Sequence, residues 1–184
     1  MDKIVFGITG EIASGKGTAT KYLLEKYGAS SHRFSTMLRD VAKRMHLEEN
    51  RENLQKISTI FRENFSDDLL SQVIYHDVIA DDNGIVVIDG VRRMSDIEYL
   101  KKLPGFRLIY IENEMQTRYE RLTKRGENVD DASKTLEEFK IDSEREAEKR
   151  IKDLKQDADF VMDNNNDFED LYVQIDNVVL ECRK

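Results

Sequence analysis

A short apolar run near the start of the chain leads directly into a glycine loop, and a helix-forming segment follows without a break. The run covers residues 4–8, and the loop, residues 10–18, reads G-E-I-A-S-G-K-G-T. Glycines at both ends of the loop let the backbone curl until successive N–H groups point inward, and the next helix adds the positive end of its dipole. Such a nest fits a polyphosphate, whose outer phosphates Lys16 can reach. This order predicts a phosphate-binding loop; the alternative is a glycine turn that only caps a helix.

The end of the loop differs from the commonest form of the motif. Gly17 stands where a serine or threonine usually gives its hydroxyl to magnesium, and Thr18 comes one residue later. The ending G-K-G-T resembles the loop of adenylate kinase and other nucleoside monophosphate kinases, where the metal is held largely through water. This resemblance implies a kinase of small nucleotides, with ATP and Mg²⁺, rather than a GTPase or a motor ATPase. The loop residues predicted to bind the nucleotide are Gly10, Ala13, Ser14, Gly15, Lys16, Gly17 and Thr18.

Length and charge limit the domain organisation and the partners. With 184 residues, 39% of them hydrophobic, the chain is the size of one domain with a buried core. A formal net charge of -8 argues against a general nucleic-acid surface or an anionic membrane surface, because both partners would be repelled. The single cysteine and the three scattered histidines form no metal-site or disulfide pattern. No apolar run approaches the length of a membrane span and no signal segment precedes the first strand, so we expect a cytoplasmic monomer or homodimer.

Strands and helices alternate along the chain, which predicts a doubly wound α/β fold with a five-stranded parallel sheet. The predicted strands are 4–8, 30–34, 85–88, 106–111 and 160–162. The predicted helices are 15–27, 36–45, 51–65, 67–80, 95–103, 116–125, 133–156 and 168–180. Dense charge over 133–156 predicts a mostly solvated helix there. We expect one P-loop kinase domain over residues 1–184; the resemblance implies an acceptor-binding helical insert at about 35–80 and a small helical lid at about 121–150.

The apolar strand at 85–88 is followed by an acidic residue and two arginines. Ligands of doubly wound sheets lie beyond the carboxyl ends of the strands, where Asp89 can hold Mg²⁺ directly or through water. The alternative is that Asp89 only begins a turn. The sequence D-G-V-R-R resembles D-G-F-P-R of adenylate kinase, which matches Arg93 to the acceptor-binding arginine. It also resembles D-G-V-R of archaeal dephospho-CoA kinase-like proteins and phage deoxynucleoside monophosphate kinases, which matches Arg92, and both matches stay open.

Upstream, the segment F-S-T-M-L-R at 34–39 resembles S-T-G-D-L-L-R, with which adenylate kinases bind the acceptor monophosphate. Thr36 and Arg39 carry this match, whereas the Gly-Asp pair is missing. The alternative is a capped helix with Arg39 on its solvated face. Arg62, in the next helical segment, is a weaker candidate for the same acceptor.

The segment R-L-T-K-R at 121–125 places Arg121 and Arg125 one helical turn apart, which also suits cations at a helix end. It resembles the start of the lid of nucleoside monophosphate kinases, whose arginines close over the transferring phosphoryl group. The resemblance to the archaeal group adds Arg145. Asn128 and Asp142 stand where relatives have further arginines, so this lid is expected to make fewer phosphate contacts.

The segment 158–166, A-D-F-V-M-D-N-N-N, resembles the loop beside the adenine in dephospho-CoA kinase and its relatives. This resemblance implies that Asn165 contacts the nucleotide. A polar turn between a strand and a helix is the alternative.

Together these residues predict an Mg-ATP-dependent kinase that transfers the γ-phosphoryl group to a small nucleotide, such as a nucleoside or deoxynucleoside monophosphate. Lys16, Arg121, Arg125 and Arg145 are the predicted catalytic residues, Thr36, Arg39, Arg92 and Arg93 the predicted acceptor-binding residues, and Asp89 the predicted metal ligand. Three alternatives remain: a dephospho-CoA kinase, a slow nucleotide-hydrolysing switch, and an enzyme that phosphorylates nucleic-acid ends. The missing guanine-reading motif argues against the switch, and the acidic net charge argues against the last.

Overall fold

The computed structural model of the protein describes residues 3–125, 131–144 and 146–184. Its strands are β1 Ile4–Thr9, β2 Ser30–Arg33, β3 Ile85–Asp89, β4 Phe106–Glu112 and β5 Phe160–Asp163. Its α-helices are α1 Lys16–Tyr27, α2 Phe34–Arg44, α3 Arg51–Asn64, α4 Leu69–Ala80, α5 Met115–Arg125, α6 Leu136–Ser143, α7 Glu146–Asp153 and α8 Phe168–Cys182. Short 3₁₀ turns cover Met94–Asp96, Leu100–Lys102, Asp131–Ser133 and Leu154–Asp157.

The strands form one parallel sheet in the order β2-β3-β1-β4-β5. The central strand β1 pairs with β3 on one side and β4 on the other, so the strand before the glycine loop lies beside the strand that ends at Asp89. This confirms the predicted doubly wound α/β class with a five-stranded parallel sheet.

Alternate residues of the strands point to opposite faces of the sheet, and each face carries its own apolar core. Val5 of β1 packs on the side of α2, α3 and α4. Phe6 and Ile8 pack on the other side, with α1 and α8. Because both faces are covered, the central strands are apolar at nearly every position, and this explains why they could be recognised from the sequence.

Two predicted helices, 95–103 and 133–156, are wrong, because neither segment forms a single α-helix. The segment 95–103 lies in two 3₁₀ turns, Met94–Asp96 and Leu100–Lys102, and both Ile97 between them and Leu100 are fully buried. The Asp96 carboxylate accepts hydrogen bonds from the backbone N–H groups of Arg92 and Arg93, which favours a turn here over an α-helix. The segment 133–156 is divided into α6, α7 and a 3₁₀ turn.

The same charged segment is mostly exposed where the structure describes it, as its charge predicted, and few of its side chains are buried. Phe139, Ile151 and Leu154 are at most 3% exposed, whereas Ile141 is 59% exposed. The side chain of Thr135 accepts a hydrogen bond from the backbone of Glu138, which fixes the start of α6. No helix among the described residues has both the length and the apolar character to cross a membrane.

Candidate active site

The glycine loop between β1 and α1 adopts a conformation that depends on two of its glycines. Gly10 and Gly15 have positive φ angles of 144° and 103°. A methyl group on Gly10 would overlap the backbone oxygen of Ile111, and one on Gly15 would overlap the side-chain amide of Asn164. These two positions therefore exclude larger residues, both for backbone strain and for lack of space.

The start of α1 offers unneutralised backbone N–H groups. Its N-cap is Gly15, which has no side chain to cap the helix, and its first turn contains no acidic residue. The Lys16 ammonium group lies over the loop, 2.7 Å from the carbonyl oxygen of Gly10 and 2.8 Å from that of Glu11. The buried hydroxyl of Ser14 has no hydrogen-bond partner among the described residues. Together these groups form a cationic nest with the chemistry of an anion site.

A buried asparagine that the sequence analysis did not single out supports this loop. Asn164, at the end of β5, is 1% exposed, and its side-chain amide donates to the carbonyl oxygen of Ser14 at 2.8 Å. Its neighbour Asn165 accepts from the backbone of Glu114 at 2.7 Å and donates to Asp163. The predicted contact of Asn165 with the nucleotide stays a prediction, and the side chain here shapes the loop before α8.

Asp89 ends β3 one strand away from the loop. In the parallel register its Cα is opposite Ile8 of β1 and Arg33 of β2. Its carboxylate is largely buried and pairs with the Arg33 guanidinium at 2.6 Å. Arg33, which was not among the predicted site residues, thus pairs directly with the predicted metal ligand.

The donors at this strand end fit Mg²⁺ only if a ligand supplies further oxygens. The described residues contain no group of three His, Cys, Asp or Glu side chains that could hold a metal ion. Mg²⁺ commonly takes one or two protein carboxylates together with phosphate oxygens and water. The single carboxylate of Asp89 beside a phosphate nest agrees with that pattern.

The two arginines after β3 differ in burial. Arg92 is exposed, whereas Arg93 is half-buried. Burial lowers the pKa of the Arg93 guanidinium, and the nearby cation of Arg62 lowers it further. Arg150 of α7 acts in the same direction, while Asp96 opposes it. Asp67 also opposes it, so Arg93 lies between two cations and two anions, and its half-buried charge is one that an anionic ligand would compensate.

A buried ion pair fixes the turn that carries these arginines. One oxygen of Asp96 accepts from the backbone N–H groups of Arg92 and Arg93, at 2.9 and 3.2 Å. The other lies 2.6 Å from the guanidinium of Arg62, and the two side chains are 4% and 8% exposed. Arg62 also donates to the hydroxyl of Ser95 at 3.1 Å. The weak candidate Arg62 is thus occupied within the protein, and its visible role is to support the turn.

The other two predicted acceptor residues lie on α2. Thr36 is exposed in the first turn of the helix. Arg39 is exposed as well, with its guanidinium 3.8 Å from the Glu49 carboxylate and 3.2 Å from the Glu49 carbonyl oxygen. Their roles stay predictions.

Arg121 of α5, a predicted catalytic residue, lies beside Phe168, the first residue of α8. Its guanidinium is 5.5 Å from the centre of the Phe168 ring and donates to the carbonyl oxygen of Asn166 at 3.1 Å. Burial lowers the pKa of Arg121. The predicted residues Arg145 and Asn128 lie outside the described residues, as does the side chain of Arg125.

Two more charged residues lie within or just before the predicted lid. Asp142, which the resemblance matched to an arginine, pairs with Lys134 at 2.5 Å. Arg118, which the sequence analysis did not single out, is 2% exposed and pairs with Glu11 of the glycine loop at 3.0 Å. A mid-helix arginine is usually solvated, so only the fold could reveal its burial.

Comparisons with known proteins agree with this geometry. A family model described as an AAA domain matches residues 9–140. A UPF0200 protein of Methanocaldococcus jannaschii is 31% identical over 180 residues, which cover 97% of this chain and 90% of that protein. A UPF0200/UPF0201 protein of Archaeoglobus fulgidus is 32% identical over 184 residues; the match covers 98% of this chain but spans only 56% of the longer relative.

Among solved structures, shikimate kinase from Bacteroides thetaiotaomicron is similar over 97% of this chain and 98% of its own, with a TM-score of 0.62 and 14% sequence identity. That likeness concerns the fold and confirms the resemblance to P-loop kinases inferred from the glycine loop. The chain belongs to the UPF0200 family and has the P-loop kinase fold.

Proposed function

We propose that the protein is an Mg-ATP-dependent kinase that transfers the γ-phosphoryl group to the phosphate of a small nucleotide, a nucleoside or deoxynucleoside monophosphate. One observation supports this proposal above the others. The paired strands β1 and β3 end side by side, one in the cationic glycine loop and the other in the turn of Arg92 and Arg93. Two phosphate-binding groups at neighbouring strand ends suit a donor and an anionic acceptor.

On the donor side, backbone N–H groups of the loop and the Lys16 ammonium would hold the ATP phosphates. Asp89 would hold Mg²⁺, which neutralises phosphate charge when bound. To reach the metal, this carboxylate would have to leave or share its contact with Arg33, which lies 2.6 Å away. In that arrangement Arg33 would limit metal binding in the absence of nucleotide.

On the acceptor side, Arg93 is the better candidate of the two adjacent arginines. It is half-buried beside Arg62 and Arg150, and the Arg62–Asp96 pair holds its backbone in place. A guanidinium binds a phosphate through two parallel hydrogen bonds, which would aim the acceptor at the donor. Thr36 and Arg39 would contribute from α2.

The transfer itself needs little from the protein beyond position and charge. An acceptor phosphate oxygen forms a bond to the γ-phosphorus, and the bond from that phosphorus to the bridging β–γ oxygen breaks, leaving ADP and a diphosphate product. The attacking oxygen is already ionised near neutral pH, so no general base is required. Arg121, with Arg125 and Arg145 from the predicted lid, would stabilise the charge on the equatorial oxygens.

A hydroxyl acceptor, as in dephospho-CoA kinase, would need a group to take its proton. The carboxylate at the end of β3 is the proposed metal ligand and so would not be free to take that proton, and the surrounding turn is rich in arginine. This arrangement favours a phosphate acceptor over a hydroxyl acceptor.

The experiment that tests the proposal measures ADP release from MgATP against a panel of ribo- and deoxynucleoside monophosphates and dephospho-CoA. We expect one monophosphate to stimulate release strongly, and Lys16→Ala to abolish that stimulation. Slow release that no acceptor changes would favour the switch, and stimulation by dephospho-CoA alone would favour the hydroxyl acceptor.

Arg92→Met and Arg93→Met form a matched pair, because they remove the same charge from adjacent positions. We expect Arg93→Met to raise the KM for the acceptor by about tenfold to a hundredfold, the loss of a charge-assisted bidentate contact, and Arg92→Met to raise it less. The reverse order would assign the acceptor to Arg92. Equal KM values in wild type and both variants would remove the acceptor site from this turn.

A further inference from the structure

A carboxylate lies inside the glycine loop itself. Glu11 follows the first glycine of the loop, and its side chain is 14% exposed. One of its oxygens faces two cations, the Arg118 guanidinium of α5 at 3.0 Å and the Lys152 ammonium of α7 at 3.4 Å. Two ion pairs therefore connect the loop to α5 and α7, the helices at the two ends of the predicted lid.

Arg118 is the more deeply placed of the two cations. Its side chain is 3% exposed, whereas that of Lys152 is 45% exposed. Its guanidinium also lies 3.5 Å from the backbone carbonyl oxygen of Ile12 and 5.5 Å from the centre of the Phe139 ring. Because solvent screens the lysine much more strongly, most of the compensation for Glu11 comes from Arg118.

This compensation matters because of where Glu11 lies. The backbone carbonyl of Glu11 is 2.8 Å from the Lys16 ammonium, the group expected to meet the outer phosphates. An uncompensated carboxylate beside a polyphosphate would repel it, and the repulsion is strong in a partly buried setting. The loop thus combines an anion-binding backbone with an acidic side chain that must be neutralised.

We infer that Arg118 is a positioning residue for the nucleotide: it neutralises Glu11 and holds the first half of the loop, so that the nest can accept the donor phosphates. Arg118 acts through Glu11 and through the Ile12 carbonyl, without touching the nucleotide. The inference rests on the proposed function in one respect, that the loop binds a nucleotide.

The test measures ADP and ATP affinity by calorimetry in wild type, Arg118→Met, Glu11→Gln and the double variant. We expect Arg118→Met to weaken ATP binding by about tenfold or more, and ADP binding less, because ATP carries more charge. Adding Glu11→Gln to Arg118→Met should restore most of the affinity, since both charges are then gone. Glu11→Gln alone should bind ATP at least as tightly as wild type.

Two further variants separate this role from a general effect on folding or net charge. Arg118→Lys keeps the charge and should lie closer to wild type than Arg118→Met. Lys56→Met removes one positive charge from α3, where Lys56 is 65% exposed, and should leave the affinity unchanged. Melting temperatures of all variants show whether each is folded. If Arg118→Met does not fold, Glu11→Gln and the double variant carry the test; the double variant leaves only the half-exposed Lys152 without Glu11.

The calorimetry separates failure of the proposed function from failure of the inference about Arg118. Wild-type protein that binds neither ADP nor ATP would refute the proposed function, and the inference with it. Wild-type protein that binds, with Arg118→Met binding equally well, would refute the inference alone. If adding Glu11→Gln to Arg118→Met restored no affinity, the inference would be overturned, because two independent structural losses of affinity would simply add. A clear loss of ATP affinity in Glu11→Gln alone would overturn it as well.

Discussion

Replacing Arg62 with methionine removes one half of a buried ion pair, and we expect a large loss of folding free energy. The nearest nitrogen of Arg62 lies 2.6 Å from the Asp96 carboxylate, and the two side chains are 8% and 4% exposed. Methionine fills much of the space of the arginine stem but carries no charge. The Asp96 carboxylate would then stay buried with the backbone N–H groups of Arg92 and Arg93 as its remaining donors.

The size of the effect follows from this geometry. Removal of one partner from a buried ion pair costs about 3–5 kcal/mol. Because two backbone donors still satisfy Asp96, we expect the lower end, about 3 kcal/mol. This is a large part of the roughly 5–15 kcal/mol that stabilises a typical domain, and it corresponds to a fall in Tm of about 6–12 °C for a chain of this size.

The matched control lies on the same helix. Lys56 pairs with Glu52 at 2.6 Å, but the two side chains are 65% and 74% exposed, so Lys56→Met should cost at most about 1 kcal/mol. Urea unfolding of both variants gives the comparison, with a shift of the midpoint at constant slope as the measure of stability. An Arg62→Met midpoint shifted no further than that of Lys56→Met would refute the reasoning.

Two further predictions concern the loop and the pH dependence of stability. Gly10→Ala should destabilise the protein by at least about 1–3 kcal/mol, because its φ is positive and the methyl group would meet the Ile111 carbonyl. Gly17→Ala is the control: it has open space around it and should be neutral or stabilising. Equal melting temperatures of the two variants would contradict this prediction. Burial alone would raise the pKa of Asp81, but its polar contacts, including the His32 ring at 2.9 Å, lower it to about 2. Its ionised form therefore stabilises the fold above the ordinary pKa near 3.8, and Asp81→Asn should cost about 2 kcal/mol at pH 7. Urea unfolding should show that cost shrinking as the pH falls from about 4 toward 2, and a cost that stayed constant would contradict the assignment.

The parts of the fold that could be predicted from the sequence are those with local patterns. The continuous apolar run before Asp89 indicated a strand covered on both faces, and the spacing of Gly10, Gly15 and Lys16 indicated the nest. The 3₁₀ turns at 94–102 could not be predicted in the same way, since Ile97 and Leu100 suit an α-helix equally well until their packing is known.

The supporting residues of the candidate site could not be predicted from local patterns at all. Arg118 meets the loop from 106 residues away, and Asn164 meets Ser14 from 150 residues away. In the sequence, Arg62 and Arg118 look like ordinary cations of solvated helix faces. Their burial depends on which helix packs against which strand end, and that is a property of the whole fold.

The most direct test of the proposed function follows the γ-phosphoryl group itself. Wild-type protein would be incubated with γ-labelled MgATP and the acceptor that stimulates ADP release most, and the labelled product would be separated and identified by its mass. The proposal predicts label in a nucleoside diphosphate made from the acceptor, with none of this product formed by Lys16→Ala. Label found only as free phosphate, at a rate that does not change with any acceptor, would contradict it.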